Sequence, residues 1–252
     1  MVQAHPFRAA WYIRTIHLAP DLADAVEGNG PVFFNFDSEP LKTQKQVQNP
    51  ISYGINGEDY TMSNLSIDEN GSRFTVKAPD GSRQEFTTRL LGHANVQNIC
   101  GAIAVAHHLG IPLAELVPAV RQLESVPHRL QLIRQADLTI IDDAYNSNPA
   151  GAKNALETLS LCRGTRIVIT PGLVELGDRE LDYNETLGRQ TADTCHHLIT
   201  VGESDSVDAI AKGAREGGLH RDNIHPAATV QQAMELARSL PGDSKMVLLL
   251  NH

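Results

Sequence analysis

The carboxyl-terminal half of the chain alternates short apolar runs with longer segments of helical period. Apolar runs fall at Thr139–Asp142, Arg166–Thr170, His197–Val201 and Met246–Leu250. Between and beside them, near 149–161, 183–195, 205–217 and 229–239, apolar residues recur every three or four positions. Near-continuous apolar runs read as strands covered on both sides, and strand–helix alternation predicts a mostly parallel sheet with helices on both faces. A further short strand is expected at Asn223–His225, between the last two helices.

The amino-terminal half is patterned differently. Val32–Phe36 is a compact apolar run followed by Asp37-Ser38-Glu39-Pro40, a stretch rich in Gln and Lys, and a second strand candidate at Ile51–Ile55. Strand-like runs at Leu65–Ile67, Arg73–Lys77 and Glu85–Leu90 are separated by Asn70-Gly71 and Asp80-Gly81. Both dipeptides tolerate positive φ and favour hairpin turns, which predicts an antiparallel meander of about three strands. A helix follows from Val96 to Leu109, with Ile99, Ile103, Val105, Ala106 and Leu109 as its apolar face and Gly110 as its stop. A second helix is expected from Leu113 to Leu123, and Val126-Pro127 reads as a linker. The pattern therefore predicts an α/β protein of two domains, 1–124 and 125–252, with residues 1–31 as a helical edge of the first.

Composition narrows the function. A formal net charge of −9 argues against a general nucleic-acid or membrane-surface binder, which needs a basic face. It leaves room for a nucleotide held by backbone amides and one or two arginines. Cys100, Cys162 and Cys195 are too few and too widely spaced for a disulfide framework or a zinc site, and are expected to be buried small hydrophobes in a reducing cytoplasm. No apolar run approaches the roughly 20 residues needed to span a bilayer.

The most informative segment is Ile140–Pro149, an apolar strand running into Asp142-Asp143-Ala144-Tyr145-Asn146-Ser147-Asn148-Pro149. Asn148 is placed to cap the next helix and Pro149 to occupy its first turn. Ligands of open α/β sheets sit at the carboxyl ends of strands, so Asp142 or Asp143 can accept hydrogen bonds from ribose hydroxyls, or simply solvate the strand end. Asn146 and Asn148 fit turn and cap roles as well as a ligand role. Arg129, after Pro127-His128, offers a fork for phosphate or ribose, or a solvated linker cation. Asn95 can present its amide to adenine, or cap a helix starting at Val96. Thr170-Pro171-Gly172 and Glu175-Leu176-Gly177 mark another strand end, where glycine permits close backbone approach or an ordinary left-handed turn. No Gly-Lys-Ser/Thr phosphate loop occurs. The adjacent pairs His107-His108 and His196-His197 do not share a helix face, and no metal site is expected there.

In order, Gly92-His93-Ala94-Asn95-Val96-Gln97-Asn98, Pro127-His128-Arg129-Leu130, Asp142–Pro149 and Thr170–Gly177 resemble the motif series of the Mur ligases. The resemblance covers Val32 to the end and is densest from Gly92 to Gly177. It implies the back of a central ATPase domain joined to a carboxyl-terminal Rossmann-like domain. It further implies that Asn95 contacts adenine, that Arg129 and Asp143 reach the phosphates and ribose, and that Tyr145, Asn146 and Asn148 line the cleft near an incoming amine. The cofactors implied are ATP and Mg2+, and the reaction is amide formation through an acyl phosphate. The Asp142–Pro149 wording is nearest the dipeptide-adding members, which implies a UDP-MurNAc-peptide and D-Ala-D-Ala as partners. Folylpolyglutamate and cyanophycin synthetases share the scaffold and remain alternatives. So does a non-catalytic binding module working with a separate subunit that carries the phosphate loop. The missing phosphate loop and UDP-sugar domain, the altered His93-Ala94-Asn95 wording and the ending at Asn251-His252 lead to the expectation of a fragment that is inactive alone.

Overall fold

The computed structural model describes residues 30–37, 49–145 and 148–251. They divide into two units, one of the described residues up to Ser66 with Ser72–Arg89 and Ala94–Leu123, the other of Ile67–Gly71, Leu90–His93 and the described residues from Glu124 onward. The expected helical edge at 1–31 lies almost wholly outside the described residues.

In the first unit β1 (Val32–Asn35), β2 (Pro50–Gly54), β3 (Tyr60–Asp68), β4 (Gly71–Lys77) and β5 (Arg83–Thr88) form one sheet in that order. β1, β2 and β3 pair in parallel, whereas β4 and β5 are antiparallel. Only Glu69 and Asn70 join β3 to β4, too short a link for a parallel crossover. The expected meander is thus present as β3–β5, but as one side of a mixed sheet that also takes in the two earlier strands. Phe74 and Phe86 face each other across β4 and β5 and stack with ring centroids 5.7 Å apart. Tyr60, Met62 and Val76 complete this buried layer.

Helix α1 (His93–His108) begins three residues earlier than the pattern suggested, and its buried stripe is Val96, Ile99, Cys100, Ile103 and Ala104. Spacings of three and four make that stripe one helical face. Leu109, expected on it, lies past the last turn and is 70% exposed. Helix α2 (Leu113–Arg121) follows, with Pro118 inside it.

The second unit carries six strands: β6 (Gln131–Arg134), β7 (Leu138–Asp143), β8 (Arg166–Thr170), β9 (His197–Val201), β10 (Ile224–Ala227) and β11 (Lys245–Leu250). Their spatial order is β10-β9-β8-β11-β7-β6. All neighbours are parallel except β6 and β7. Strand β6 was not expected from the pattern; two apolar residues give it little periodicity, and its antiparallel pairing with β7 is what makes it a strand. Pro226 is accommodated because β10 is an edge strand.

The helices are α3 (Pro149–Ser160), α4 (Glu180–Thr194), α5 (Asp205–Glu216) and α6 (Val230–Ser239). The chain steps outward from β7 through β8 and β9 to β10, then returns to insert β11 between β8 and β7. Right-handed crossovers therefore place α3, α4 and α5 on one face and α6 on the other. Ile140, Ile167, Ile169, Ile199, Val247 and Leu249 form the core on the α6 side with Ala233, Ala237 and Met234. The alternate residues Ile141, Val168, Leu198 and Leu248, all fully buried, fill the opposite face.

Helices α4 and α5 meet backbone to backbone. A Cβ at Gly188 would lie 2.1 Å from the Ile210 carbonyl oxygen, and one at Gly213 would lie 2.0 Å from that of Glu185. The three cysteines are buried as expected, and desolvation pushes the thiols of Cys100, Cys162 and Cys195 up to about 12, 11 and 12. Among the described residues no helix is long and apolar enough to cross a membrane.

Candidate functional site

Strand β7 ends in a set of mutually bonded groups. Asp142 is only 5% exposed; its Oδ1 accepts from the Ala144 amide at 3.2 Å and its Oδ2 lies 2.9 Å from His128 Nδ1. Because a carboxylate oxygen accepts, the imidazole Nδ1 carries the hydrogen. Asp143 Oδ1 accepts from the Leu130 amide at 3.1 Å, and the Tyr145 amide donates to the His128 carbonyl at 3.2 Å. Three bonds thus tie the segment 128–130 to the end of β7.

Arg129 sits at the centre of that segment. Its neighbours His128 and Leu130 have φ of 61° and 48°. Left-handed backbone at a non-glycine residue costs on the order of 1 kcal/mol, and strain of this kind persists only where the surroundings impose it. The Arg129 guanidinium carbon lies 4.8 Å from the centroid of the Tyr145 ring, a cation–π contact on a tyrosine that is 62% exposed. Among the described residues Arg129 makes no ion pair. A positive fork held on an aromatic face, with Asp143 beside it, is suited to an anionic ligand bearing hydroxyls.

Asn148 is the amino-terminal cap of α3: its Oδ1 accepts from the Gly151 amide at 2.8 Å, and Pro149 follows in the first turn. Asn146 lies outside the described residues. In the first unit Asn95 is half-buried in the first turn of α1, so it is not the cap of a helix starting at Val96. Asp142, weighed with Asp143 as a ribose acceptor, is committed to His128 and Ala144.

The end of β8 is organised around backbone. Gly172 has φ of 103° and its amide donates to Thr170 Oγ1 at 3.0 Å, so the left-handed turn is the form taken. The buried Asn184 of α4 accepts from the Leu173 amide at 2.8 Å and donates to the carbonyls of Leu173 and Glu180, both at 2.9 Å. Asn251 Nδ2 donates to the Gly172 carbonyl at 2.9 Å. Glu180 accepts from the Leu176 amide at 3.4 Å and from Ser206 Oγ at 2.9 Å. Sequence reasoning did not single out His128, Asn184 or Asn251. The Pro127-His128-Arg129 wording pointed near the first, whereas nothing local marks the two asparagines.

A groove of about 460 Å³ between α5 and β10, lined by Thr200, Ser204, Asp208, Arg215 and Arg221 among others, lies toward the opposite edge of the sheet and contains none of the expected residues.

The second unit is therefore a Rossmann-like α/β domain with its polar groups gathered at the carboxyl end of a parallel strand. The Mur ligase middle domain matches residues 20–106, the Mur ligase glutamate ligase domain matches residues 128–250, and the chain belongs to the Mur ligase family. The UDP-N-acetylmuramoyl-tripeptide--D-alanyl-D-alanine ligase of Bacillus subtilis is 28% identical over 199 residues, which is 77% of this chain and 42% of that protein. The ligase of the same name from Haemophilus influenzae is 31% identical over 163 residues, 64% of this chain and 35% of that protein. The chain thus spans well under half the length of these relatives. A crystal structure of MurF from Acinetobacter baumannii superposes with a TM-score of 0.72 at 25% identity, covering 92% of this chain and 51% of that one. MurF ligase from Thermotoga maritima in complex with ADP superposes with a TM-score of 0.73 at 18% identity, covering 89% and 50%, a likeness of fold.

Proposed function

We propose that this chain carries the nucleotide side and the amine side of an ATP-dependent amide ligase of peptidoglycan precursor synthesis, acting in the cytoplasm. The reaction proposed is addition of D-Ala-D-Ala to UDP-MurNAc-tripeptide. The observation that carries this reading is Arg129, held on Tyr145 between two left-handed residues and flanked by Asp143 at the end of β7. The similarity to UDP-N-acetylmuramoyl-tripeptide--D-alanyl-D-alanine ligases supports the substrate assignment.

In this reading Arg129 contacts phosphate oxygens, Asp143 accepts from ribose, and Asn95 of the other unit pairs with adenine. Asp143 Oδ1 accepts from the Leu130 amide, and a ribose hydroxyl would donate to the same carboxylate. Tyr145 and Asn148 line the approach of the amine. Asn148 uses Oδ1 as a cap, which leaves its amide nitrogen as the donor for a ligand. ATP supplies the phosphoryl group that turns the substrate carboxylate into an acyl phosphate, open to attack by the dipeptide amine. Magnesium would offset charge on that group. Among the described residues no cluster of three or more His, Cys, Asp or Glu could hold a metal ion, so no residue is assigned to it.

The chain alone is expected to turn over no ATP and to bind nucleotide weakly. Titration with ADP followed by NMR should show shifts that Arg129→Ala and Asp143→Ala both diminish. Binding indifferent to both substitutions would overturn the site. Robust ATP turnover with UDP-MurNAc-tripeptide and D-Ala-D-Ala would overturn the inactivity. A thermal shift with folate but not with D-Ala-D-Ala would move the substrate to the folylpolyglutamate class.

A further inference from the structure

We infer that His128 is a positioning residue whose side-chain bond to buried Asp142 sets the guanidinium of Arg129 over Tyr145 and so prepares it for an anion. The inference deepens the proposed function and rests on that reading only for the identity of the ligand as a nucleotide.

A flexible arginine ordinarily samples many rotamers, and a ligand that needs one of them must bear the cost of selecting it. Here the selection is made beforehand. The backbone of Arg129 is fenced by two residues of positive φ, His128 at 61° and Leu130 at 48°. Leu130 is held by its amide bond to Asp143 Oδ1 at 3.1 Å and by burial of its side chain. His128 is held through its carbonyl, which accepts from Tyr145, and through its ring, which meets Asp142 at 2.9 Å. The His128 side chain is 52% exposed while the Asp142 side chain is 7% exposed, so the imidazole reaches from the surface onto a fixed buried anchor. The same few residues set both partners of the cation–π contact, because the Tyr145 amide is bonded to the carbonyl of His128 itself. Releasing the imidazole therefore loosens the backbone that carries Arg129 and the aromatic face beneath it together.

This assigns the side chain of His128 a role separable from its backbone. Glycine accepts positive φ freely but deletes the imidazole, whereas asparagine tolerates the left-handed region and carries an amide donor for Asp142. The test compares the full chain with His128→Gly and His128→Asn, reading the ring-current shift of the Arg129 Hδ protons by NMR without any ligand. The upfield shift should be present in the parent, lost in His128→Gly and restored in His128→Asn. The double variant His128→Gly with Asp142→Asn removes the unpaired buried charge, guards against loss of the fold, and should also lack the shift. A parent-like shift in His128→Gly and in the double variant would overturn the inference.

ADP titrations on the same proteins form the second arm. The dissociation constant should rise about tenfold in His128→Gly, the scale typical of removing a group that orients a ligand-binding side chain, and recover in His128→Asn. If the parent chain binds no ADP, the nucleotide reading fails while the ring-current series still decides the role of His128.

Discussion

The ends of β7 and β8 open on the same edge of one parallel sheet, yet they are finished in opposite ways. At β7, bonds run from strand-end carboxylates to a neighbouring turn and leave an arginine and a tyrosine ring displayed at the surface. At β8, one asparagine from the following helix and one from the far end of the chain bond to main-chain groups and fix the course of the loop itself. The first arrangement spends its hydrogen bonds on presenting a charge, the second on holding a backbone shape. Side chains at the β7 end should therefore matter more to binding than to stability, and those at the β8 end the reverse.

The sharpest way to break this contrast is Asn184→Ala. It removes three hydrogen bonds, two of them buried, and leaves the Leu173 amide without its partner, so unfolding in urea should show a loss of about 3 kcal/mol. A loss under about 1 kcal/mol would mean that the loop does not depend on that asparagine. Asn251→Ala deletes the bond to the Gly172 carbonyl and should cost at least roughly 1.5 kcal/mol in the same measurement.

At the other end, Arg129→Ala should weaken ADP binding about tenfold, near 1.4 kcal/mol, while changing stability by less than about 0.5 kcal/mol. Arg129→Ala destabilising the fold as much as Asn184→Ala would erase the distinction. Asn148→Ala should lower stability by about 1 kcal/mol through loss of the α3 cap, with Asn148→Asp near the parent value. A neutral alanine would show the cap bond to be dispensable.

The smallest effect concerns neither loop. On neighbouring strands β9 and β10, His197 Nδ1 and His225 Nε2 lie 3.3 Å apart, and desolvation holds both rings below the usual 6.5, as it does His196. With folded values below unfolded ones, the unfolded chain takes up more protons under pH 6.5, so stability declines as pH falls through that range. Denaturation at pH 7.5 and at about pH 5.5 should show the decline, and His197→Gln with His225→Gln should flatten it. The slope should survive Asn251→Ala and Arg129→Ala alike; a slope that vanished with either would link the histidines to the strand ends after all.

Much of this was legible along the chain. The strand–helix alternation of the second unit, the cap at Asn148 and the standing of Asp143 and Tyr145 at one strand end follow from local spacing, whereas Arg129 is brought to that end by the pairing of β6 with β7, which local spacing does not reveal. Strand β6 escaped notice because its identity comes from pairing with β7, and the mixed sheet of the first unit because parallel pairing joins segments far apart in sequence. Leu109 was placed on a buried face because periodicity does not reveal where a helix stops.

Local chemistry, then, dictated most of the segments that become strands or helices, β6 excepted, and which polar residues stand at their ends, since period and capping act over a few residues. Which of those polar groups are spent inside the protein was settled by packing. Asp142 and Asp143 are adjacent and chemically alike, but β7 buries the first against His128 and turns the second toward Leu130. Alternation of side chains across a pleated sheet separates neighbours in sequence, and only the elements packed on each face determine what either one meets.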